Sequence, residues 1–205
     1  MKKWLALVVA ALLALSTMVA FADVTPSKDT SDNTKIVDES IETSTGVAIA
    51  DDFIAAIPEE TPEKVNEVVK ELFDTTTKGE DAIKYFPEDI QKAIEEKLPE
   101  GVTLSDLELN EIIALVIENY DEAYGDIDIV FAFNTLYKPE QTIFALLGNY
   151  TADKADEVEA EDGVEWTLLD AVGQEDGTVK VTFTQEALMA AEAADASMLA
   201  ILNTK

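Results

Sequence analysis

Carboxylates and lysines are the main ionisable groups with which this chain could do chemistry. Its 205 residues include 43 Asp and Glu and 14 Lys, but no His, no Cys and no Arg. Ser-His-Asp and Cys-His nucleophilic sites are therefore impossible, and a zinc site is implausible without imidazole or thiolate ligands. A pair of carboxylates, as in glycoside hydrolases, is the catalytic arrangement that remains open.

Three acids stand out as candidates for such a carboxylate pair. Glu111 lies within an apolar run and is expected to face inward, whereas Asp126 and Asp128 alternate along a predicted strand and share its solvated face. A sugar-cleaving site would also use exposed aromatic side chains, but Trp166 is expected in the core. We therefore expect no catalytic residues and a protein that is not an enzyme. A carboxylate-dependent glycoside hydrolase is one alternative.

The densest cluster of acids is the candidate metal site. It precedes Gly163 and comprises Asp156, Glu157, Glu159, Glu161 and Asp162. Calcium takes about six to eight oxygen ligands and binds weakly at many extracellular sites. An EF-hand is excluded because the position five residues before Gly163 is Val158. A solvated acidic loop is the favoured interpretation. No cofactor is expected, unless calcium binds at this loop in a calcium-dependent adhesion module, which is the second alternative.

Four tyrosines near predicted strand ends form a candidate contact surface: Tyr120, Tyr124, Tyr137 and Tyr150. They would provide a binding surface if they cluster outside the core, although tyrosines at strand ends are more often packing residues. The expected partner is a protein or glycan of the cell envelope or of a host.

The charge balance excludes one class of partner. The formal net charge is −29, and removal of residues 1–22, which carry two lysines and no acids, would leave −31. Such a charge repels nucleic acid and anionic membranes and keeps a protein soluble and monomeric. We expect a monomer that binds no nucleic acid. Its acidity would serve either colloidal repulsion or attraction to basic partners.

The first 22 residues have the three parts of a secretory signal peptide. Lys2 and Lys3 precede an apolar run over residues 4–15, and Ala20-Phe21-Ala22 offers small residues to signal peptidase. The run is shorter than the roughly 20 apolar residues of a membrane-spanning helix. Cleavage would leave 183 residues without a membrane span, secreted to the extracellular space or loosely associated with the envelope. The absence of Cys fits a bacterial exported protein.

Three segments are expected after the signal. Residues 23–49 are rich in Asp, Ser and Thr and are predicted to be a disordered acidic linker. Residues 50–103 are predicted to be a helical subdomain, because Thr61-Pro62-Glu63 and Pro87-Glu88-Asp89 have the composition of helix starts. Residues 104–205 are predicted to be a β-sandwich domain, because apolar and polar residues begin to alternate there.

Periodicity places most of the elements in this last segment. Strands are predicted near residues 127–133, 142–148, 164–168, 179–183 and 198–202, with an Ala-rich helix over 184–194. Glu175-Asp176-Gly177 predicts a hairpin turn. Residues 109–120 are ambiguous, since their apolar spacing matches a helix while their β-branched residues suit a buried strand.

Several short motifs occur in a distinctive order: Leu109-Asn110-Glu111, Tyr120-Asp121, Tyr124-Gly125-Asp126, Phe131-Ala132-Phe133, Thr135-Leu136-Tyr137, Leu146-Leu147-Gly148, Val164-Glu165-Trp166-Thr167-Leu168, Gly177-Thr178-Val179, Phe183-Thr184-Gln185 and Met198-Leu199-Ala200. This order, over about residues 58–205, resembles a family of small, uncharacterised secreted proteins of Gram-positive gut anaerobes, to which no activity is attached. The resemblance implies that residues 107–120 form an extended strand opening a small β-sandwich.

Together these observations predict an α+β protein, in which a helical segment precedes a small Ig-like β-sandwich of about six strands with a helix before the last strand. The implied core is Leu109, Ile113, Ile127, Ile129, Phe131, Phe133, Ile143, Trp166, Leu168, Val179, Val181, Phe183, Leu199 and Ile201. The expected function is that of an exported, non-catalytic binding or structural module at the bacterial cell envelope or in the extracellular space.

Overall fold

The structure is a computed structural model that describes residues 34–37, 41–77, 82–152 and 163–204. The helices are α1 (Glu63–Thr77), α2 (Glu88–Glu95) and α3 (Gln185–Ala193), with short 3-10 turns at Ala82–Tyr85, Leu104–Asp106 and Glu122–Tyr124. The strands are β1 (Lys35–Ile36), β2 (Glu42–Thr43), β3 (Ile54–Ala56), β4 (Leu107–Glu118), β5 (Ile127–Ala132), β6 (Ile143–Tyr150), β7 (Val164–Gly173), β8 (Val179–Phe183) and β9 (Ala196–Thr204).

These strands form one antiparallel sheet that curves until it is nearly closed. Its order is β1-β5-β8-β7-β6-β9-β4-β3, and β2 also pairs with β5. Strand β7 connects the two parts, because residues 164–169 pair with β6 and residues 170–173 pair with β8. The α+β class is confirmed. The six-strand Ig-like sandwich is not, since one long strand belongs to both halves and the sheet is continuous.

The interior of the curved sheet is an apolar core to which both halves contribute. Alternate residues of β4, β5, β6, β8 and β9 point into it, together with Ala187, Leu188 and Ala191 of α3. Helix α3 connects β8 to β9 and starts at Thr184, whose hydroxyl accepts a hydrogen bond from the Ala187 N–H. Burial of these apolar residues therefore packs the helix against the inner core.

A second apolar cluster lies on the outer face of β4, β6, β9 and the first half of β7. Helices α1 and α2 and the turn between them cover this face with Val65, Leu72, Phe86, Ile90 and Ile94, among others. The Phe86 and Trp166 rings meet edge to face with centroids 4.9 Å apart. The helical segment and the sheet thus share one core.

The outer cluster and the inner core together explain the ambiguity of residues 109–120. Residues 107–118 form strand β4, as the family resemblance implied. Ile112 and Ala114 contact the helices, whereas Ile113 and Leu115 point into the inner core. A strand that is buried on both faces has apolar residues at consecutive positions, so its sequence lacks the usual alternation.

Part of the predicted linker is paired with the sheet. Lys35 and Ile36 lie opposite Ala132 and Phe131, and β2 lies opposite residues 127–128, so both short strands extend the sheet along β5. Ile36 also packs against the inner core. The described residues of 23–49 are therefore more ordered than a composition poor in apolar residues suggested, because backbone hydrogen bonds to a strand edge need little side-chain burial.

The predicted core is largely confirmed. All of its residues are buried except Leu109 and Leu168, which are half-buried against the helical layer. Trp166 belongs to the outer cluster and Ile113 to the inner one. The alternation identified buried positions correctly, although it could not tell which of the two clusters each residue would join.

Candidate functional site

Asp126 and Asp128, two of the three candidate acids, accept hydrogen bonds within the sheet and at the start of α3. Asp128 accepts hydrogen bonds from the Lys180 ammonium at 2.8 Å and from the Thr182 hydroxyl at 2.6 Å. Partial burial opposes ionisation of Asp128, but these hydrogen bonds and the Lys180 charge outweigh it and hold the carboxyl pKa below its usual value. Asp126 accepts from the Gln185 N–H at 2.9 Å, at the start of α3. Both carboxylates stabilise the sheet and its helix.

The four tyrosines do not form one exposed surface. Tyr124 and Tyr137 are buried. Tyr120 meets Tyr124 edge to face at 6.1 Å, beyond the end of β4, and Tyr150 lies beneath the Lys64 ammonium of α1, 4.9 Å from the ring centroid. These tyrosines therefore act mainly as packing residues and not as one contact surface.

The third acid, Glu111, is directed into the protein interior by a β-bulge. The pairing of β4 with β9 shifts register between Leu109, opposite Leu202, and Glu111, opposite Ile201. Because of the extra residue, Leu109 faces the helices while Glu111 and Ile113 face inward. Glu111 is only 4% exposed. Without the bulge, strict alternation would place Leu109 and Glu111 on the same face.

Two more polar residues belong to the same inward face. Asn203 of β9 lies two residues beyond Ile201, opposite Glu108 on one side and Ile143 on the other. Its neighbour Leu202 packs in the outer cluster, so Asn203 points inward and is 6% exposed. Glu108, next to the outward-facing Leu107, is half-buried and also points inward. Asn203 is directly opposite Glu108 and diagonal to Glu111, and long side chains at diagonal positions of paired strands can reach each other.

Tyr137 completes this polar group. It is 1% exposed within the inner core, and its N–H donates to the Gly177 carbonyl at 3.0 Å. Burial raises the pKa of its hydroxyl, and the neighbouring Glu111 carboxylate raises it further. Thr135 lies beside the hydroxyl, but its geometry falls short of a hydrogen bond. The chain after Tyr137 crosses Gly173 so closely that a Cβ there would collide with the Lys138 carbonyl oxygen.

We refer to Glu108, Glu111, Tyr137 and Asn203 as the bulge-end site. Within the part of the chain that the structure describes, the Tyr137 hydroxyl and the Asn203 side-chain oxygen are buried without a hydrogen-bond partner. The Asn203 amide nitrogen donates to the Thr204 carbonyl at 3.1 Å. An unsatisfied buried polar atom costs about 1–3 kcal/mol, and such atoms are uncommon in folded proteins.

The opposite end of β9 is built differently. Asn149 of β6 and Ser197 of β9 are also buried and inward-facing, but the Ser197 hydroxyl donates to the Asn149 side-chain oxygen at 2.8 Å. The Ser197 hydroxyl also lies 3.4 Å from the Ala191 carbonyl of α3. Polar side chains at one end of the inner core therefore satisfy each other, whereas two polar atoms at the bulge end lack such partners.

Sequence reasoning identified Glu111 but did not foresee the rest of the site. Tyr137 was considered for a different surface, and Glu108 and Asn203 were not considered as site residues. The one available signal was Asn203, a polar residue that follows the apolar residues 198–202. The bulge that turns Glu111 inward has no signature in this sequence.

The described residues include no cluster of three or more acidic side chains placed to hold a metal ion. The candidate calcium ligands Asp156, Glu157, Glu159, Glu161 and Asp162 lie outside those residues. Among the described helices, none is long and apolar enough to cross a membrane. Comparison of the chain with protein-family models, with curated proteins and with solved structures found no match.

Proposed function

We propose that this protein is an exported, non-catalytic binding module of the bacterial cell envelope or extracellular space, and that it binds a protein or glycan ligand at the bulge-end site. The observation that carries the proposal is the pair of buried, unpartnered oxygens on Tyr137 and Asn203, beside the buried Glu111. A ligand that donates hydrogen bonds would satisfy both oxygens.

Stability alone does not account for these side chains. Leu and Phe would fill nearly the same volumes as Asn203 and Tyr137 without a buried polar atom, and such replacements are often neutral or stabilising. The remainder of the inner core is apolar or, at Asn149 and Ser197, internally hydrogen-bonded. Side chains that lower the stability of a fold are typical of sites that are retained for function.

Export is proposed on the sequence of residues 1–22, and two features of the remaining chain fit it. The chain lacks Cys, and its strong negative charge keeps a released protein soluble.

Replacement of Asn203 tests the site without knowledge of the ligand. We expect Asn203→Leu to leave the free energy of unfolding unchanged or to raise it by up to about 1 kcal/mol, because an unsatisfied oxygen is removed. The matched control is Asn149→Leu on the neighbouring strand, which should lower it by about 1–2 kcal/mol, since it breaks the hydrogen bond from Ser197. Urea unfolding of the mature chain measures both changes. Equal destabilisation by the two substitutions would show that Asn203 is structural and would contradict the proposed site.

A carboxylate-dependent glycoside hydrolase is the second candidate, and one observation favours it. Glu108 and Glu111 share the inward face of β4, with Glu111 deeply buried and Glu108 nearer the surface. Glycosidases use two carboxyl groups of unlike environment. Turnover of aryl glycosides by the wild type, lost in both Glu108→Gln and Glu111→Gln, would establish it. Ligand binding without turnover would favour the binding module.

A further inference from the structure

The hydrogen-bonding character of the bulge-end site restricts the ligand that it could hold. Glu108 and Glu111 supply carboxylate oxygens, and the Asn203 amide nitrogen is already engaged by the Thr204 carbonyl, which leaves its side-chain oxygen as an acceptor. The Tyr137 hydroxyl can also accept. A ligand group that only donates hydrogen bonds matches this set.

The charge of the site points in the same direction. Two carboxylates at one end of an apolar core favour a positively charged group, because attraction between charges strengthens where water is excluded. Glu108 lies half-exposed at the rim and Glu111 lies deeper, so a cation could approach past the first and reach the second.

We infer that the bulge-end site binds a primary ammonium group. An ammonium carries three N–H donors and no acceptor, which suits the Glu111 carboxylate, the Tyr137 hydroxyl and the Asn203 oxygen. Calcium is a poorer match because calcium sites are typically rich in carboxylates, and the described residues include no group of three acidic side chains placed to hold a metal ion. Sugar hydroxyls both donate and accept, so at a site of acceptors their own oxygens would be left without a donor. The inference rests on the proposed binding function and specifies its ligand.

Two sources could supply the ammonium: a small amine, or a lysine side chain of a peptide or protein. Isothermal titration of the mature chain at low ionic strength would use pentylammonium and a lysine-containing tripeptide blocked at both ends. The matched control ligands are pentanol and the same tripeptide with its lysine acetylated. Binding of pentylammonium would indicate a small-amine site, and binding of the tripeptide alone would indicate recognition of lysine in a chain. Either result supports the ammonium inference.

The site variants should weaken binding in a graded manner. We expect Glu111→Gln and Asn203→Leu to raise the Kd about tenfold or more, and Glu108→Gln to raise it about threefold, because a charge partner deeper in the protein is screened less by water. The control Glu118→Gln, at the exposed end of the same strand, should stay within about twofold of the wild type.

Three outcomes would overturn the inference. The neutral control ligands could bind as tightly as the amines, binding could be unaffected by Glu111→Gln, or no amine could bind at all. These outcomes can be separated from failure of the proposed function. If Asn203→Leu leaves stability intact and abolishes binding of an oligosaccharide, the binding function stands while the ammonium inference fails. If Asn203→Leu destabilises the fold as much as Asn149→Leu, the site itself is wrong.

Discussion

Two lysine–aspartate pairs that involve strands of the sheet have the same nitrogen–oxygen distance but different surroundings. Lys180–Asp128 and Lys97–Asp170 both have a nitrogen–oxygen distance of 2.8 Å. Asp128 is 24% exposed and also accepts from Thr182, whereas Asp170 is 77% exposed. Exposed ion pairs contribute little because water and salt screen them. Stability should therefore depend on Asp128 more than on Asp170, although the sequence alone gives no means to separate them.

This difference should appear in the pH dependence of stability. The pKa of Asp128 is lowered in the folded protein, so its contribution is complete above the unfolded value of about 4 and is lost as pH falls through the folded value. We expect Asp128→Asn to lower the free energy of unfolding by about 0.5–1 kcal/mol at pH 7, and by progressively less below pH 4. Urea unfolding across this range measures it. The control Asp170→Asn should have little effect at either pH, and equal losses for the two variants would contradict the argument.

Strand β4 illustrates which elements a sequence pattern can and cannot predict. Strands such as β5 and β8, with one face in the core and one in solvent, alternate clearly and were predicted within a residue or two. In β4 both faces are buried, so its pattern matched a helix, and only the resemblance favoured the strand. Local periodicity does not encode contacts between residues that are distant in sequence. It therefore could not predict which strands pair, the bulge near Asn110, or the pairing of β7 with both β6 and β8.

The packing of the helical layer on the sheet depends on one glycine. A Cβ on Gly148 of β6 would lie 2.8 Å from the Trp166 ring and 2.9 Å from a Val164 methyl group. Gly148→Ala should therefore lower the free energy of unfolding by about 1–3 kcal/mol through overpacking. Since Trp4 lies in the proposed signal peptide, Trp166 would be the sole tryptophan of the mature chain, and its fluorescence reports the transition.

A double-mutant cycle provides the control for the Gly148 prediction. In a Trp166→Phe background the smaller ring leaves space for the added methyl group, so the loss caused by Gly148→Ala should shrink. Circular dichroism follows unfolding of all four proteins of the cycle, because this background lacks the fluorescent ring. An unchanged loss in that background would show that the glycine is required by Val164 or by the backbone of β6, and not by its contact with Trp166.

At the scale of the whole molecule, the excess of negative charge is larger than the fold requires. The described helices and strands are held by two apolar clusters, one inside the curved sheet and one beneath the helices. A net charge of −29 adds repulsion that opposes the compact state. The charge follows directly from the composition, and the α+β class was predicted from periodicity and the family resemblance. The partner that the charge serves cannot be predicted without knowing which acids the fold holds in place. The bulge-end site is one such place.

Comparison of the melting temperature in calcium and in magnesium distinguishes general charge screening from binding at a specific calcium site. Salt weakens repulsion between exposed carboxylates, so the melting temperature of the mature chain should rise with ionic strength. If the acids of residues 156–162 are only a solvated loop, calcium and magnesium at equal millimolar concentration should raise it equally, and this is the outcome we expect. A ligand specific to the folded state adds RT ln(1 + [L]/Kd), about 2.7 kcal/mol at a hundredfold excess over Kd. A rise of several degrees with calcium alone, reversed by EDTA and lost in Asp156→Asn with Glu159→Gln, would instead support the calcium-dependent adhesion module.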